Sequence, residues 1–187
     1  MDTTVMSLAE TRDDTRHRYL SDPEAVFWET ANTTEFASAT ERSAFHWRYF
    51  GYYAAHVPWL FFVARTDQPE PEVLGYICGV ADTRSHSELY RVAAHVAVFD
   101  DLYDAYPAHL HINLTAASRG LGLGGRLVAA FSAAVATEGA AGLHLVTSPG
   151  ARNVSFYHRQ GFVHAVERVL PTAGEQDVPL LFLGKRL

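Results

Sequence analysis

Residues 118–127 read SRGLGLGGRL, with four glycines, Gly120, Gly122, Gly124 and Gly125, inside six positions. Glycine loses more chain entropy on ordering than any other residue, so this density points to a place where bare backbone is required. Phosphate binding is the chemistry that most often needs it, and three devices compete. A P-loop has two glycines five apart, then Lys and Ser or Thr for the outer phosphates and magnesium. Gly120 and Gly125 keep that spacing, but Arg126 and Leu127 follow, so both chemical groups are missing. A dinucleotide fingerprint is formally present in Gly120, Gly122 and Gly125. It should begin directly after a strand and be followed by an acid that binds ribose; here residues 115–119 intervene and the next strand ends in Thr147 and Ser148. The third device is Arg119-Gly120-Leu121-Gly122-Leu123-Gly124 opening a helix. Successive N–H groups and the helix dipole then converge on a diphosphate without lysine or metal.

The elements that must position this loop are legible in outline. WLFFVAR and VLGYICGVA are compact apolar runs separated by TDQPEPE, which predicts an antiparallel hairpin. Residues 87–106 carry apolar groups at helical spacing and Pro107 closes them before HLHINLT, a third strand. After the glycines, Leu123, Leu127, Phe131 and Val135 recur every four residues, the face of a helix ending near Gly139. LHLVT reads as a buried strand and RNVSFYHRQ as a short helix stopped by Gly161 in a left-handed cap. FVHAVERV and VPLLFLGK read as two closing strands. Residues 1–45 are polar and variable in pattern, with helices expected around 11–20 and, running past that part, 37–49. The mixture predicts an α/β (α+β) sandwich with helices on both sheet faces, as one domain over 1–187 with its core at 58–170.

Composition narrows the partners. Lys and Arg number 15 against 21 Asp and Glu, a net charge of −6, so a basic nucleic-acid surface is excluded. Cys78 is the lone cysteine, which rules out an intrachain disulfide and a thiolate metal cluster. The N-terminal segment lacks a signal-peptide pattern and no apolar run is long enough to span a bilayer, so a cytoplasmic protein without a membrane partner is expected. A homodimer is left open.

The loop RGLGLG, with NVSFYHRQGF following at the right distance, resembles the GCN5-related N-acetyltransferase superfamily. The likeness runs from HVPWLFFVAR to HRQGFVHAV. PAHLHINL is similar to a bacterial subgroup related to the acetyltransferase-like domain of O-GlcNAcases. The resemblance implies a mostly antiparallel central sheet in which two parallel strands splay, with acetyl-CoA as co-substrate and no metal. It assigns Arg119, Gly120, Leu121, Gly122, Leu123, Gly124 and Gly125 to the diphosphate and the backbone of Ile112, Asn113 and Leu114 to the pantetheine amides. Phe156 and Asn153 stand on the same short helix as cofactor contacts. The family's usual asparagine falls where this chain has Gly150, and the subgroup's usual Asp where it has Asn113.

Tyr157 matches the position from which family members protonate the departing thiolate. With phenol near 10 and a thiol near 8.5, that transfer is uphill by roughly 2 kcal/mol. His109 and His111 alternate on one face of their strand, and a bulge there would turn one toward the reacting amine. His111 is the leading base; Asp82 and Asp104 are rival carboxylates, and a His-x-His metal site lacks a third ligand. Glu88, Asp104 and His109, with Asp100 and Asp101 nearby among aromatics, are candidates for binding a cationic substrate. The resemblance thus implies acetyl transfer to a small primary amine, an aminosugar or aminoglycoside of the kasugamycin type. A non-catalytic acetyl-CoA-binding module and a protein or peptide N-acetyltransferase are the alternatives.

Overall fold

The structure, a computed structural model, describes residues 2–11, 18–172 and 176–187. In chain order the main elements are β1 (Thr3–Ser7), α1 (Arg18–Thr30), α2 (Ala39–His46), α3 (Tyr52–His56), β2 (Phe62–Thr66), β3 (Val73–Val80), α4 (Ser87–Val92) and α5 (His95–Val98). There follow β4 (Ala108–Leu114), α6 (Leu123–Thr137), β5 (Gly142–Thr147), α7 (Val154–Arg159), β6 (His164–Leu170) and β7 (Val178–Arg186). The strands form one seven-stranded sheet in the order β1-β2-β3-β4-β5-β7-β6. It is mostly antiparallel, with β4 and β5 as its parallel pair. The expected mixed architecture is therefore the observed one.

By packing, the chain divides into two compact units, Met1–Val80 with His111–Ala134 and Ala81–Leu110 with Val135–Leu187. In the first, Phe61 and Tyr76 stack at 5.2 Å, and Phe50 stands edge-on to both. β3 is buried along its whole length, the mark of a strand covered on both faces. The helix expected over 37–49 begins at Ala39, where the Ser38 hydroxyl accepts the Glu41 N–H at 3.1 Å. It does not stop at Tyr49: a π-helical turn, Trp47–Gly51, carries it into α3. Of the helix expected at 11–20, residues 12–17 lie outside the described residues; α1 begins at Arg18 and runs to Thr30. β1 was not expected from its short polar sequence. It forms by pairing with β2, from Thr3↔Thr66 to Ser7↔Phe62, and Ser7 then caps a 3₁₀ turn reciprocally with Glu10.

Two backbone features of this unit prepare the glycine loop. The β2–β3 register passes from Ala64↔Gly75 to Arg65↔Val73, leaving Leu74 as an extra residue, a β-bulge. At Gly75, a Cβ would stand 2.6 Å from Leu114 Cδ2 and 2.7 Å from the Asn113 carbonyl oxygen. β4 can lie this close to β3 only because position 75 has no side chain.

The second unit is built around Val96, Phe99, Tyr103, Tyr106, Leu180 and Phe182. The continuous helix expected over 87–106 is replaced by α4, α5 and a 3₁₀ turn at Asp100–Leu102. Leu89, Ala93, Val96, Phe99 and Tyr103 are all buried, so the apolar spacing reports the buried face correctly. Continuity fails because Ala93 leaves the helical region, at φ −133° and ψ 86°, and because Asp100 is held by Arg84 and Tyr90.

Candidate functional site

In the first unit, β4 ends at Leu114 and the chain turns onto the bulged residue. The Thr115 N–H and the Ser118 hydroxyl both donate to the Leu74 carbonyl, at 3.0 and 2.8 Å. Ser118 is almost wholly buried there, pinning the 3₁₀ turn Ala116–Ser118. Gly120 and Gly122 then adopt φ of +79° and +77°, and a Cβ at either would meet nothing within 4 Å. The requirement for glycine is therefore conformational, and the space before the loop is open. Leu123 starts α6 with its side chain in the core, and Leu127, Phe131 and Val135 bury the expected face. The Arg126 N–H closes the first turn on the Gly122 carbonyl, and the amides preceding it have no acceptor within the helix. Fifteen residues of α6 add their dipole at this end. Arg126 itself is engaged with the Thr3 carbonyl and hydroxyl, whereas Arg119 is exposed. The residues present fit a diphosphate: bare amides, a positive helix end and an exposed guanidinium.

His111 and Asn113 share one face of β4. His111 Nε2 lies 3.1 Å from the Tyr53 hydroxyl, and the Tyr49 ring stands edge-on to the imidazole at 5.3 Å. Tyr53 is fully buried and its phenol is pushed well up, mainly by loss of solvent. The Asn113 amide donates to Thr30 Oγ1 at 2.7 Å, and that hydroxyl donates to the Val26 carbonyl. An aspartate could not supply the proton this Thr30 oxygen accepts, which gives the departure at position 113 a structural reason. Ile112 and Leu114 are half-buried; the parallel ladder of β4 with β5 consists of Ala108↔Leu143 and His109↔His144, so Ile112–Leu114 lie beyond it.

In the second unit, α7 presents Tyr157. Its ring packs edge-on to Phe156 and Phe162, and only 6% of the residue is exposed. Among the described residues its hydroxyl has no hydrogen-bond partner, and burial pushes the phenol up to about 12. Asn153 is exposed and precedes the first turn without a side-chain cap. Gly150 has φ +78°, a conformation open to glycine and, next best, to asparagine, the residue the family resemblance expects there. Gly161 has φ +89° and is the expected left-handed cap.

The other candidates of this unit are engaged by neighbours. His109 is buried with Nδ1 at 2.9 Å from Thr83 Oγ1; that hydroxyl donates to the Pro107 carbonyl, so the imidazole donates from Nδ1. Asp82 accepts the Arg84 N–H and the Ser85 hydroxyl within its own turn. Arg84 bridges Asp100 and Asp104, and Tyr90 donates to Asp100, so Asp100 is held below the usual carboxylate range by the guanidinium and then by the phenol. Asp101 is paired with Arg168, and Glu88 faces Arg91 at 3.9 Å. His144 carried no earlier expectation. It is fully buried between Tyr103 and Phe182, its Nδ1 donates to the Tyr106 carbonyl at 2.7 Å, and loss of solvent lowers its pKa to about 3.

Tyr53 and Ser118 are the contributions that sequence reasoning missed. Tyr53 lies 58 residues from His111, and no local pattern links them. Ser118 had a faint signal, a small polar residue just before the glycines. Among the described residues no group of three or more His, Cys, Asp or Glu is placed to hold a metal, and no helix is long and apolar enough to cross a membrane.

No protein-family model matches the sequence. Solved structures do share the fold. SsHAT is 22% identical with a TM-score of 0.68, over 100% of this chain and 98% of that one. A mutant agmatine N-acetyltransferase in its apo form is 14% identical with a TM-score of 0.61 over the whole of both chains. The yncA protein of Salmonella typhimurium, solved with its cofactor acetyl-CoA, is 15% identical with a TM-score of 0.57, over 98% of this chain and 93% of that one.

Proposed function

We propose that this chain is an acetyl-CoA-dependent N-acetyltransferase of the GCN5-related type, acting on a small primary amine. The observation that carries the reading is the loop: two glycines at positive φ open a long helix, with nothing in the space their side chains would take. Sharing a fold with yncA, whose structure holds acetyl-CoA, and with an agmatine N-acetyltransferase supports it.

Acetyl-CoA supplies an acetyl group activated as a thioester. In this reading the amides of residues 120–125 and Arg119 hold the diphosphate, and the backbone of Ile112–Leu114 orients the pantetheine arm, with Asn153 and Phe156 as further contacts. His111 takes a proton from the amine. Tyr157 holds a proton at its phenolic oxygen for the departing sulfur. At about 12 against about 8.5, the phenol is the weaker acid by about 3.5 units, roughly 5 kcal/mol if the sulfur kept its value in water. A thiolate leaving beside the same apolar rings is raised by the same loss of solvent, which narrows that gap. Asp82 is the less suited base, since its carboxylate already accepts two hydrogen bonds.

The choice of amine follows from the base. An amine of pKa about 10.4 is free base in only about one molecule in 2,500 at pH 7, against about one in ten for a pKa near 8. An imidazole among aromatic neighbours suits the second kind, so an aminosugar, including an aminoglycoside of the kasugamycin type, is the proposed substrate. Charge recognition by Asp100 and Asp104 has less support, because Arg84 already bridges both carboxylates. A thiol-release screen with acetyl-CoA over aminosugars, aminoglycosides, polyamines and peptides tests this. Turnover confined to peptides refutes the substrate class, and absence of acetyl-CoA binding refutes the reading itself.

A further inference from the structure

Thr30, the last residue of α1, fixes the amide of Asn113 through two hydrogen bonds in series. Its hydroxyl oxygen lies 2.7 Å from the Val26 carbonyl, one turn back, and 2.7 Å from the Asn113 side-chain nitrogen. Two oxygens come this close only with a proton between them, so the hydroxyl proton is committed to Val26 and the Thr30 oxygen can only accept. Asn113 must therefore turn its NH2 group to Thr30. Reversing the amide would set its carbonyl oxygen against the same lone pairs with no proton to share. Oδ1 is thus held on the side of the amide away from Thr30. Among the described residues it accepts no hydrogen bond, and it keeps contact with solvent. Asn113 is half-buried, lies beyond the β4–β5 ladder, and shares its face of β4 with His111, about 7 Å along the strand. An acceptor with one enforced orientation and no protein donor therefore stands where the transferase reading brings the amine.

We propose that Asn113 Oδ1 accepts a hydrogen bond from the reacting amine and so orients it, with Thr30 as the residue that positions the amide. The inference rests on the transferase reading and adds a substrate contact to it. A neutral primary amine carries two N–H bonds and one lone pair. The first N–H donates to Oδ1, which leaves the lone pair free to attack the acetyl carbon. As the new C–N bond forms, the C–S bond breaks with its electron pair leaving on sulfur, and the second N–H gives its proton to the base. The first N–H survives as the N–H of the product amide, so its contact with Oδ1 lasts through the reaction. Asn113 takes no proton itself, because a carboxamide oxygen is an acceptor and not a base near neutral pH. Selectivity for primary amines follows. A secondary amine has one N–H, must lose it to become an amide, and leaves Oδ1 without a donor.

The test uses the full chain and has two arms. Side-chain amide NMR of nitrogen-15-labelled protein, which requires no turnover, reads the orientation of Asn113. One slowly exchanging Asn113 amide proton is expected in the wild type and in Thr30→Ser, and its protection should be lost in Thr30→Val. Exchange as fast in the wild type as at exposed asparagines overturns the proposal. The kinetic arm compares the primary amine turned over fastest in the thiol-release screen, with glucosamine as the first probe, against its N-methyl derivative. Removing one hydrogen bond to the amine should lower kcat/KM for the primary amine about threefold to tenfold in Asn113→Ala, with the KM for acetyl-CoA unchanged. The preference for the primary over the N-methyl amine should shrink by the same factor. Thr30→Val should shrink it in part, and Thr30→Ser should keep it. A merely structural role would lower both amines alike. Equal losses on the two amines, or a preference that Thr30→Val leaves untouched, contradict the proposal while leaving the transferase reading standing; failure to bind acetyl-CoA at all is what removes that reading.

Discussion

The glycine loop and the acidic cluster around Arg84 were equally conspicuous as sequence, and they differ in what the fold leaves open. Gly120 and Gly122 hold left-handed backbone, open to glycine without strain, with nothing within 4 Å of where their side chains would stand, and Ser118 anchors the turn before them on the Leu74 carbonyl. Asp100 and Asp104 close onto Arg84, and Asp82 onto its own turn. A site needs groups with unspent capacity. By that measure the loop is the better candidate for binding, and the acids are a clasp holding α4, α5 and the following turn.

The largest expected effect breaks the loop. Gly122→Glu places a charged L-residue at φ +77° in the proposed diphosphate site, and calorimetry should find acetyl-CoA affinity reduced at least about a hundredfold. The same change should lower stability by about 1–2 kcal/mol from the left-handed backbone alone, measurable by urea unfolding. Gly122→Ala separates the two, with a similar stability loss and no charge repulsion.

Tyr157 extends the contrast into the second unit, since its hydroxyl resembles the loop in having no protein partner among the described residues. Tyr157→Phe should lower kcat about a hundredfold, within the range for loss of a general acid, with acetyl-CoA affinity unchanged. A variant that keeps wild-type turnover would move Tyr157 to the side of the acids.

His144 is fully buried, where His111 is half-buried. Its pKa is lowered by burial, so the unfolded chain binds more protons below about pH 6.5, and stability is lost as pH falls from there toward 3. Urea unfolding at pH 5 should show about 2 kcal/mol less stability from this group than at pH 7.5. His144→Gln, which keeps a donor for the Tyr106 carbonyl, should flatten that slope.

The smallest expected effect is at the clasp. Asp104 is largely exposed, so Asp104→Asn should change the amine KM by less than about twofold, as for other surface ion pairs. A tenfold rise in KM would show that the carboxylate meets substrate after all.

The same difference explains what the sequence disclosed. The loop was legible because its backbone conformation is encoded directly by glycine spacing, and α6 was legible because Leu123, Leu127, Phe131 and Val135 repeat with the helix period. The strands β2 to β7 announced themselves by apolar runs, whereas β1 depends on β2 for its existence. The pairing of Arg84 with Asp100 and Asp104, and of Tyr53 with His111, joins residues 16, 20 and 58 positions apart. Such partners decide whether a polar residue is spent or available, and no local pattern carries them. The broken helix over 87–106 has in part the same origin, since burial followed the spacing while Arg84 and Tyr90, 16 and 10 positions from Asp100, hold the following turn.

The most direct measurement is titration of acetyl-CoA into metal-free protein in EDTA while following the backbone amide resonances of residues 120–125. Saturable shifts concentrated on those amides, undiminished by the chelator, are expected. Shifts that spare them, or binding that appears only when magnesium is added, would contradict a diphosphate held by bare amides at the start of α6.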